Sequence, residues 1–578
     1  MPGDHRQPAD LARAAAGLDF AHASVAPFGP DEIRAYVERW VHAYFENDPE
    51  KARGTTEQRY AEQLIATLQS RQELRRLASA PVMLTCLCVV YSHGGGLPEG
   101  RAELYRDTIR WLLAARASTR KDRGYGELRV QEALGMLALA MMGGQKGAKR
   151  RELGLKDAAE VIDPVIRGAR FDLDPVARIN AICEWLRFEC EYSGVIEEIG
   201  RGQLQFKHLT FQEYLAAAQL ASTPNRGWWP IIEARLMELQ WRETIDLFPG
   251  CLLDATRGTT LDADHLVTQI HQLWPKELRL VRAARITAIL SRFAPAFGCA
   301  RYQPPKELAQ RGAEMLAEAE AIFEPEGAAT VEEKLRVAAA EAIGLAGDRR
   351  LAPERFEENL LDVPGTQVRL GKYPVTVEEF ARFVDDAGYE REEFWVDDNG
   401  WSMRTHEGWQ TPDDWESQLR TPNRPVVGVS WFEAMAYCRW LSAEHPTRRM
   451  RLPTVAEWIA AASPDGRRYP WGDQPDPDDT RANFGRHVNA PTPVGIYPAG
   501  KGKHGHADLA GNVWEWSLDV YKGITAKMLR VYGQPRIFCG GCYWDEAGGM
   551  AAAERFRFRS FFRHVHGGFR VVSEPASP

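Results

Sequence analysis

The sequence predicts a multidomain chain in which an all-α first part is followed by an α+β domain. Three observations carry this expectation. At 578 residues the chain exceeds what one hydrophobic core serves. Residues from about Asp31 to Leu345 repeat a helical apolar period in an Ala/Leu/Arg/Glu-rich background. From about Val363 onward tryptophan, glycine and proline rise and helical runs shorten. The joint falls in "LAGDRRLAPERFEENLLDVPG", residues 345–365, where charge and proline interrupt the pattern.

Bulk properties bound the function. Hydrophobic residues make up 44% and charged residues 26%, as in ordinary soluble domains. The formal net charge of −8 gives no electrostatic reason to expect nucleic acid. The longest apolar run, "ALGMLALAMMGG", falls short of the roughly 20 residues that span a bilayer. The start, "MPGDHRQPADLARAAAGLDF", lacks the basic and apolar segments of a signal peptide. Nine cysteines lie scattered without metal-ligand spacing, and the close pair Cys86 and Cys88 sits in an apolar run. Together these imply a reduced, cytoplasmic protein without a membrane partner.

In the first part, "LRRLASAPVMLTCLCVVYSHGGGLPEGRAELYRDTIRWLLAAR" reads as two helices around a glycine turn. Leu74, Leu77, Leu84 and Leu87 line a buried face, continued by Leu104, Ile109 and Leu112. Helix starts are signalled by capping boxes, in which Ser or Thr caps a backbone N–H and a Glu three residues on returns the bond. Candidates are Thr210/Glu213, Thr330/Glu333, Thr376/Glu379, Ser430/Glu433 and Thr454/Glu457.

The order "VAPFGPDEIRAYVERW", "APVMLTCLCVVY", "LPEGRAELYRDTI" and "LQFKHLTFQEYLAAAQLA" resembles the helical and winged-helix region of NACHT-type STAND NTPases. The resemblance implies a NACHT-associated helical segment over 1–125 and a winged-helix-like region over 126–250. Within it Phe206 ends a wing strand, Thr210 caps the next helix, and His208 is structural. Residues 251–350 read as paired helices resembling a short solenoid. A STAND ATPase needs G-x-x-x-x-G-K-[ST] to cradle phosphate. "GGQKGAKR" and "PAGKGKHG" lack that spacing, so no ATP site is expected in this chain.

The second part reads "VRLGKYPVTVEEFARFV", "RPVVGVSWFEAMAYCRWLS", "RMRLPTVAEWIAAAS", "YPWGD", "HADLAGNVWEWSLDVY", then "CGGCYWDEAGGMAAAERFRFRSFFRHVHGGFRVV". This series resembles the formylglycine-generating enzyme (sulfatase-modifying factor) superfamily, whose fold is C-type lectin-like, over about 355–575. Tryptophans at 431, 440, 458, 471, 514 and 516 supply large apolar areas to a domain with few long helices. The resemblance implies a calcium site from the side chains of Asp508 and Glu515 and the carbonyls of Gly511 and Val513, since a hard cation takes several oxygens. A second such site starts at Asn483 and Phe484, but its later ligands have no match here because the loop is short.

The family's copper oxygenases use two cysteine thiolates. With Gly540-Gly541, Arg555, Arg557 and Gly568-Phe569-Arg570 in register, Asp545 and Met550 occupy those positions, and copper is not expected. Cys539 and Cys542, at i and i+3, would face opposite sides of a strand. Nonheme-iron relatives take their histidines from a separate helical domain, and His564 with His566 alone makes a poor iron site.

What remains within the frame reads as a binding face. Tyr543, Trp544, Asp545 and Glu546 open it, and Glu554, Phe556, Phe558 and Arg559 continue it. Phe561, Phe562, His564 and His566 complete it, in a composition of aromatics and arginine typical of interface hot spots. Arg555, Arg557 and Arg563 read as framework. The same fold and frame resemble variable proteins of diversity-generating retroelements. The expectation from sequence is therefore a non-catalytic recognition protein. Its lectin-like domain binds a protein ligand, and its helical part relays to a STAND ATPase core or to self-assembly. The alternative is an enzyme of the formylglycine-generating or nonheme-iron oxidoreductase type.

Overall fold

The computed structural model describes residues 28–576 apart from 48–55, 71, 95, 115–126, 144–148, 167–173, 201, 255–259, 396–399 and 522–534. The N-terminal start discussed above lies outside these, as does most of "GGQKGAKR". The chain divides into two compact units, Met1–Asp254 and Ala255–Pro578.

The first unit opens with helices Pro30–Asn47, Glu57–Ser70, Gln72–Ala78 and Pro81–Gly94. Leu74, Leu84 and Leu87 are buried in it as their spacing requires, while Leu77 is half-buried. After the glycine turn comes α1 (Arg101–Ala114), then α2 (Glu127–Met141). The winged-helix region follows. Strand β1 (Glu152–Gly154) leads into α3 (Leu155–Ile166) and α4 (Pro175–Tyr192), and the wing is β2 (Ile196–Ile199) and β3 (Gln203–Phe206). The three strands form an antiparallel sheet in the order β1-β3-β2. Helix α5 (Leu209–Ala221) then packs against α2. Its N-cap is His208, not Thr210, and Glu213 is held by Lys149 Nζ at 2.7 Å instead of returning a capping bond. A wing strand ending two residues earlier leaves no room for Thr210 outside the helix.

In the second unit, α6 (Leu261–Gln272), α7 (Arg279–Cys299), α8 (Lys306–Ala319) and α9 (Glu333–Leu345) pack together, α7 against both α8 and α9. They join the lectin-like part in one body. Asn423 Nδ2 donates to Ala340 O (2.8 Å), Tyr497 Oη donates to Glu333 (3.0 Å), and Arg424 pairs with Glu341. A Cβ on Gly344 would meet the Asn423 side chain at 2.4 Å, so glycine there permits the close approach. Thr330 does not cap α9. Its hydroxyl donates to Glu326 O, closing the short helix Pro325–Thr330, and Glu332 is the N-cap.

The lectin-like part is built on two four-stranded sheets. One runs β4-β5-β11-β6 (Leu360–Asp362, Arg369–Gly371, Val572–Pro575, Arg448–Arg451). The other runs β10-β7-β8-β9 (Gly567–Gly568, Trp514–Val520, Pro535–Cys539, Arg555–Arg559). Helices α10 (Val377–Asp385), α11 (Trp431–Glu444) and α12 (Val455–Ala462) each start with a complete capping box, on Thr376/Glu379, Ser430/Glu433 and Thr454/Glu457. Trp431, Trp440, Trp458, Trp514 and Trp516 are buried, whereas Trp471 is half-buried and stacks on Tyr469. The fold class is the one the sequence predicts.

The caps give a direct test. Thr454→Ala removes a cap and should cost about 1 kcal/mol, whereas Thr330→Ala should stay within about 0.5 kcal/mol, the range of surface changes. Thermal unfolding of the two variants compares them, and equal losses would contradict the assigned helix starts.

Candidate functional site

The C-terminal strands place an aromatic and imidazole array at one face of the β10-β7-β8-β9 sheet. Strand β9 is Arg-Phe-Arg-Phe-Arg, so its side chains alternate between faces. Arg555 lies over Trp458 and Arg557 over Tyr521. On the other face Phe556 contacts Trp514 (6.1 Å between centroids) and Phe558 (5.0 Å). Phe558 stacks on Phe562 at 5.3 Å and touches His564 at 4.8 Å. His564 meets His566 at 4.8 Å, and His566 stacks on Trp544 at 5.2 Å with Tyr543 against its edge. The row is open to solvent: Trp544, Phe556 and Phe562 are 40%, 51% and 41% exposed.

Two features hold the row in place. Gly540 and Gly541, at φ +99° and +75°, end β8 and turn the chain into Tyr543–Asp545. Behind the array Arg563 anchors the second loop. Its Nε donates to Glu433 Oε2 (2.9 Å) and its Nη1 to Asp413 (2.8 Å), while Nη2 reaches Glu433 and Thr411 O. Glu433 is itself buried, caps α11 and accepts from Tyr389 Oη (2.5 Å).

Both histidines are neutral at pH 7. Burial, reinforced by His564 and Arg486 and opposed by Asp545, pushes His566 down to about 4. Burial also lowers His564, with Asp545 opposing. The His566 backbone N–H donates to His564 Nδ1 (3.1 Å), so neutral His564 carries its proton on Nε2.

The other expected site residues are placed differently. Asp545 turns inward, its Oδ2 accepting from Cys542 N (2.8 Å). Phe561 packs with Phe558 against the domain core. Glu546 and Glu554 are exposed, at the start of a 3-10 turn and just before β9, and Arg559 lies near the Phe561 ring. One residue absent from the sequence-based set belongs to the row: Arg486, whose guanidinium lies 3.6 Å over Trp544. Its signal is faint, a basic residue following Gly485.

Neither metal centre of the resembled enzymes fits these residues. Asp545 is committed to its own backbone, and Met550 is fully buried with Tyr469, Phe484 and Ala510. Cys539 and Cys542 do not converge: the former packs with Trp458 and Leu509, the latter with Phe538 and Trp516. Burial pushes both thiols up to about 12. His564 has its lone pair engaged by a backbone donor. Among the described residues no group of three His, Cys, Asp or Glu side chains is disposed to hold a metal ion.

The oxygen-rich turn before β7 is a separate feature. Glu515 is fully buried and accepts from Arg570 Nε (2.7 Å), Arg570 Nη2 (2.6 Å) and Trp458 Nε1 (2.8 Å). Asp508 is buried at φ +56° and accepts one backbone bond, from Gly495 N (2.6 Å). Gly511 (φ +77°) approaches Asn483 so closely that a Cβ would lie 2.3 Å from Asn483 O. Among the described residues the buried Asn483 Oδ1 has no partner. A calcium ion would use Asp508 readily but would have to share Glu515 with Arg570.

Burial pushes Asp508 up to about 6, with Glu515 adding to the rise and Gly495 and Arg570 opposing it. The unfolded carboxyl titrates near 4. Between about 4 and 6 the folded state therefore holds the extra proton, and stability declines as pH rises through 6. In EGTA, Asp508→Asn should raise Tm at pH 7.5 and lose that advantage towards pH 4. A pH-independent change would place its cause in the backbone instead.

Comparisons with known proteins bear on both units. Residues 330–575 match the sulfatase-modifying factor enzyme 1-like domain, and residues 101–220 match the winged helix-turn-helix domain C-terminal to NACHT. Hercynine oxygenase of Mycobacterium tuberculosis is 38% identical over 225 residues, 36% of this chain and 50% of that protein. Formylglycine-generating enzyme of Streptomyces coelicolor is 43% identical over 127 residues, 19% of this chain and 37% of that protein. The chain thus spans about half the length, or less, of these curated relatives. Among solved structures, Treponema denticola variable protein 1 is similar at 20% identity and TM-score 0.26, over 37% of this chain and 91% of that one. The relatives correct the expectation of a non-catalytic recognition protein: those aligning over about a third of the chain at 35–38% identity are named oxygenases. The lectin-like half of this chain is a domain of the sulfatase-modifying factor enzyme 1-like family, and its first unit carries a winged helix of the kind found C-terminal to NACHT.

Proposed function

We propose that this chain is an oxidoreductase of the oxygenase type, and that the row from Trp544 to Phe562 holds its substrate. The observation that carries the reading is the 38% identity to hercynine oxygenase over 225 residues. The row supports it physically. It offers an open aromatic surface and a neutral imidazole whose Nε2–H can donate to a bound substrate. The described residues supply no complete metal centre, so the role assigned to them is binding and orientation. The pairing of Arg563 with the buried Glu433 fixes the loop that carries both histidines, which keeps the surface preorganised.

Three further assignments accompany this reading. A calcium ion at Asp508 would be structural, relieving the cost of a buried carboxylate. The winged-helix unit is suited to association with a NACHT ATPase core. Among the described residues no cysteine pair forms a disulfide, which fits a reducing cytoplasm.

The purified chain, supplied in turn with ferrous iron and with copper and offered hercynine in air, tests the reading. Oxygen-dependent loss of hercynine is expected. Trp544→Ala should lower kcat/KM at least about tenfold, roughly 1.4 kcal/mol of transition-state stabilisation, at unchanged Tm. A chain that leaves hercynine and oxygen untouched with either metal would contradict it.

A further inference from the structure

Arg486 stands out from the other arginines around the row. Gly485 and Arg486 both adopt the left-handed region, at φ +59° and +61°. For an arginine that conformation persists only where the surroundings impose it, and such residues gather at functional sites. Here two backbone bonds impose it: Gly485 N donates to Asp545 O and Arg486 N to Tyr543 O, both at 2.8 Å. The result is to set the guanidinium over the Trp544 ring, which stacks in turn on His566.

Two of the neighbouring arginines are spent on the protein, while Arg555 and Arg557 lie on the opposite face of β9, over Trp458 and Tyr521. Arg563 is saturated by Glu433, Asp413 and Thr411, and Arg570 by Glu515 and carbonyls. Arg486 is different: it is exposed, and among the described residues no carboxylate or carbonyl accepts from its guanidinium. A guanidinium stacked on a ring turns its planar fork of N–H donors outward along the ring edge, the arrangement that receives a carboxylate through two parallel bonds. No acidic side chain of the row competes for it, since Asp545 is turned to Cys542 N.

We propose that Arg486 is the carboxylate-receiving residue of the site, so that the substrate is a small molecule carrying a carboxylate beside a planar or aromatic group. This rests on the row being the substrate surface. The carboxylate docks on the Arg486 fork, and the planar group lies along Trp544 and the imidazoles. Arg486 thereby selects among ligands that the aromatic surface alone would accept without discrimination.

Equilibrium titration with 3-phenylpropionate and its neutral amide, 3-phenylpropionamide, followed by ligand-observed NMR on the full chain, provides the test. The acid should bind at least tenfold more tightly than the amide. Arg486→Gly should erase that preference while leaving Tm equal or higher, because glycine accepts φ +61° without strain. A residue with a merely structural role would lower Tm instead. Equal binding of acid and amide, no binding of either, or a preference that survives in Arg486→Gly would overturn the assignment. Displacement of the acid by an equal concentration of inorganic phosphate would overturn it too, marking a site for any anion. Because binding is read without turnover, loss of the preference leaves the oxygenase reading standing, and absent turnover leaves this one standing.

Discussion

The lectin-like part depends on one buried ion pair. Arg570 and Glu515 are both withdrawn from water, and their bidentate contact joins the last turn of the chain to the start of β7. The same guanidinium donates to Gly371 O and Ala507 O, and the same carboxylate accepts from Trp458 on α12. One charge pair thus ties both sheets, a helix and the turn that holds Asp508. Such a pair adds little net stability over an apolar equivalent, but breaking it strands a buried charge at about 3–5 kcal/mol. Its value is to define a single arrangement, and the exposed row inherits that arrangement through β7, β8 and β10.

A second buried pair repeats the logic nearer the surface. Glu433 serves the α11 cap, Tyr389 and Arg563 at once, so the helix start and the His564–His566 loop share one carboxylate. The exposed row rests on this support without contributing to it. That division lets Trp544, Phe556 and Phe562 remain in water, where their apolar surface is unpartnered, while the backbone beneath them stays fixed.

How much of this could be read from the residues follows from the range of each interaction. The capping boxes of α10, α11 and α12 were legible because both partners lie three residues apart. The same pattern misled at Thr210 and Thr330, where it does not register a strand or helix ending just upstream. The row itself was legible through the alternation of β9 and the glycine frame, and Trp544, Phe558, Phe562, His564 and His566 do converge. Asp545 and Phe561 were not separable from them, since whether a loop side chain faces in or out depends on contacts the local pattern does not contain. Arg486 was invisible for the same reason: its place on Trp544 is set by two backbone bonds between distant loops. The functional reading failed through a different step. Asp545 and Met550 stand where the copper enzymes carry thiolates, which argues from residues alone for a non-catalytic chain, and the 35–38% identity to proteins named oxygenases overturns that argument.

The central claim is that the row binds a molecule that is oxidised, and isotope labelling addresses it most directly. With hercynine, 18O-labelled dioxygen and the metal-loaded chain, the account predicts a product heavier by the label, formed by the wild type and strongly reduced in Trp544→Ala. Product carrying only solvent oxygen, or equal labelling in both proteins, would contradict it.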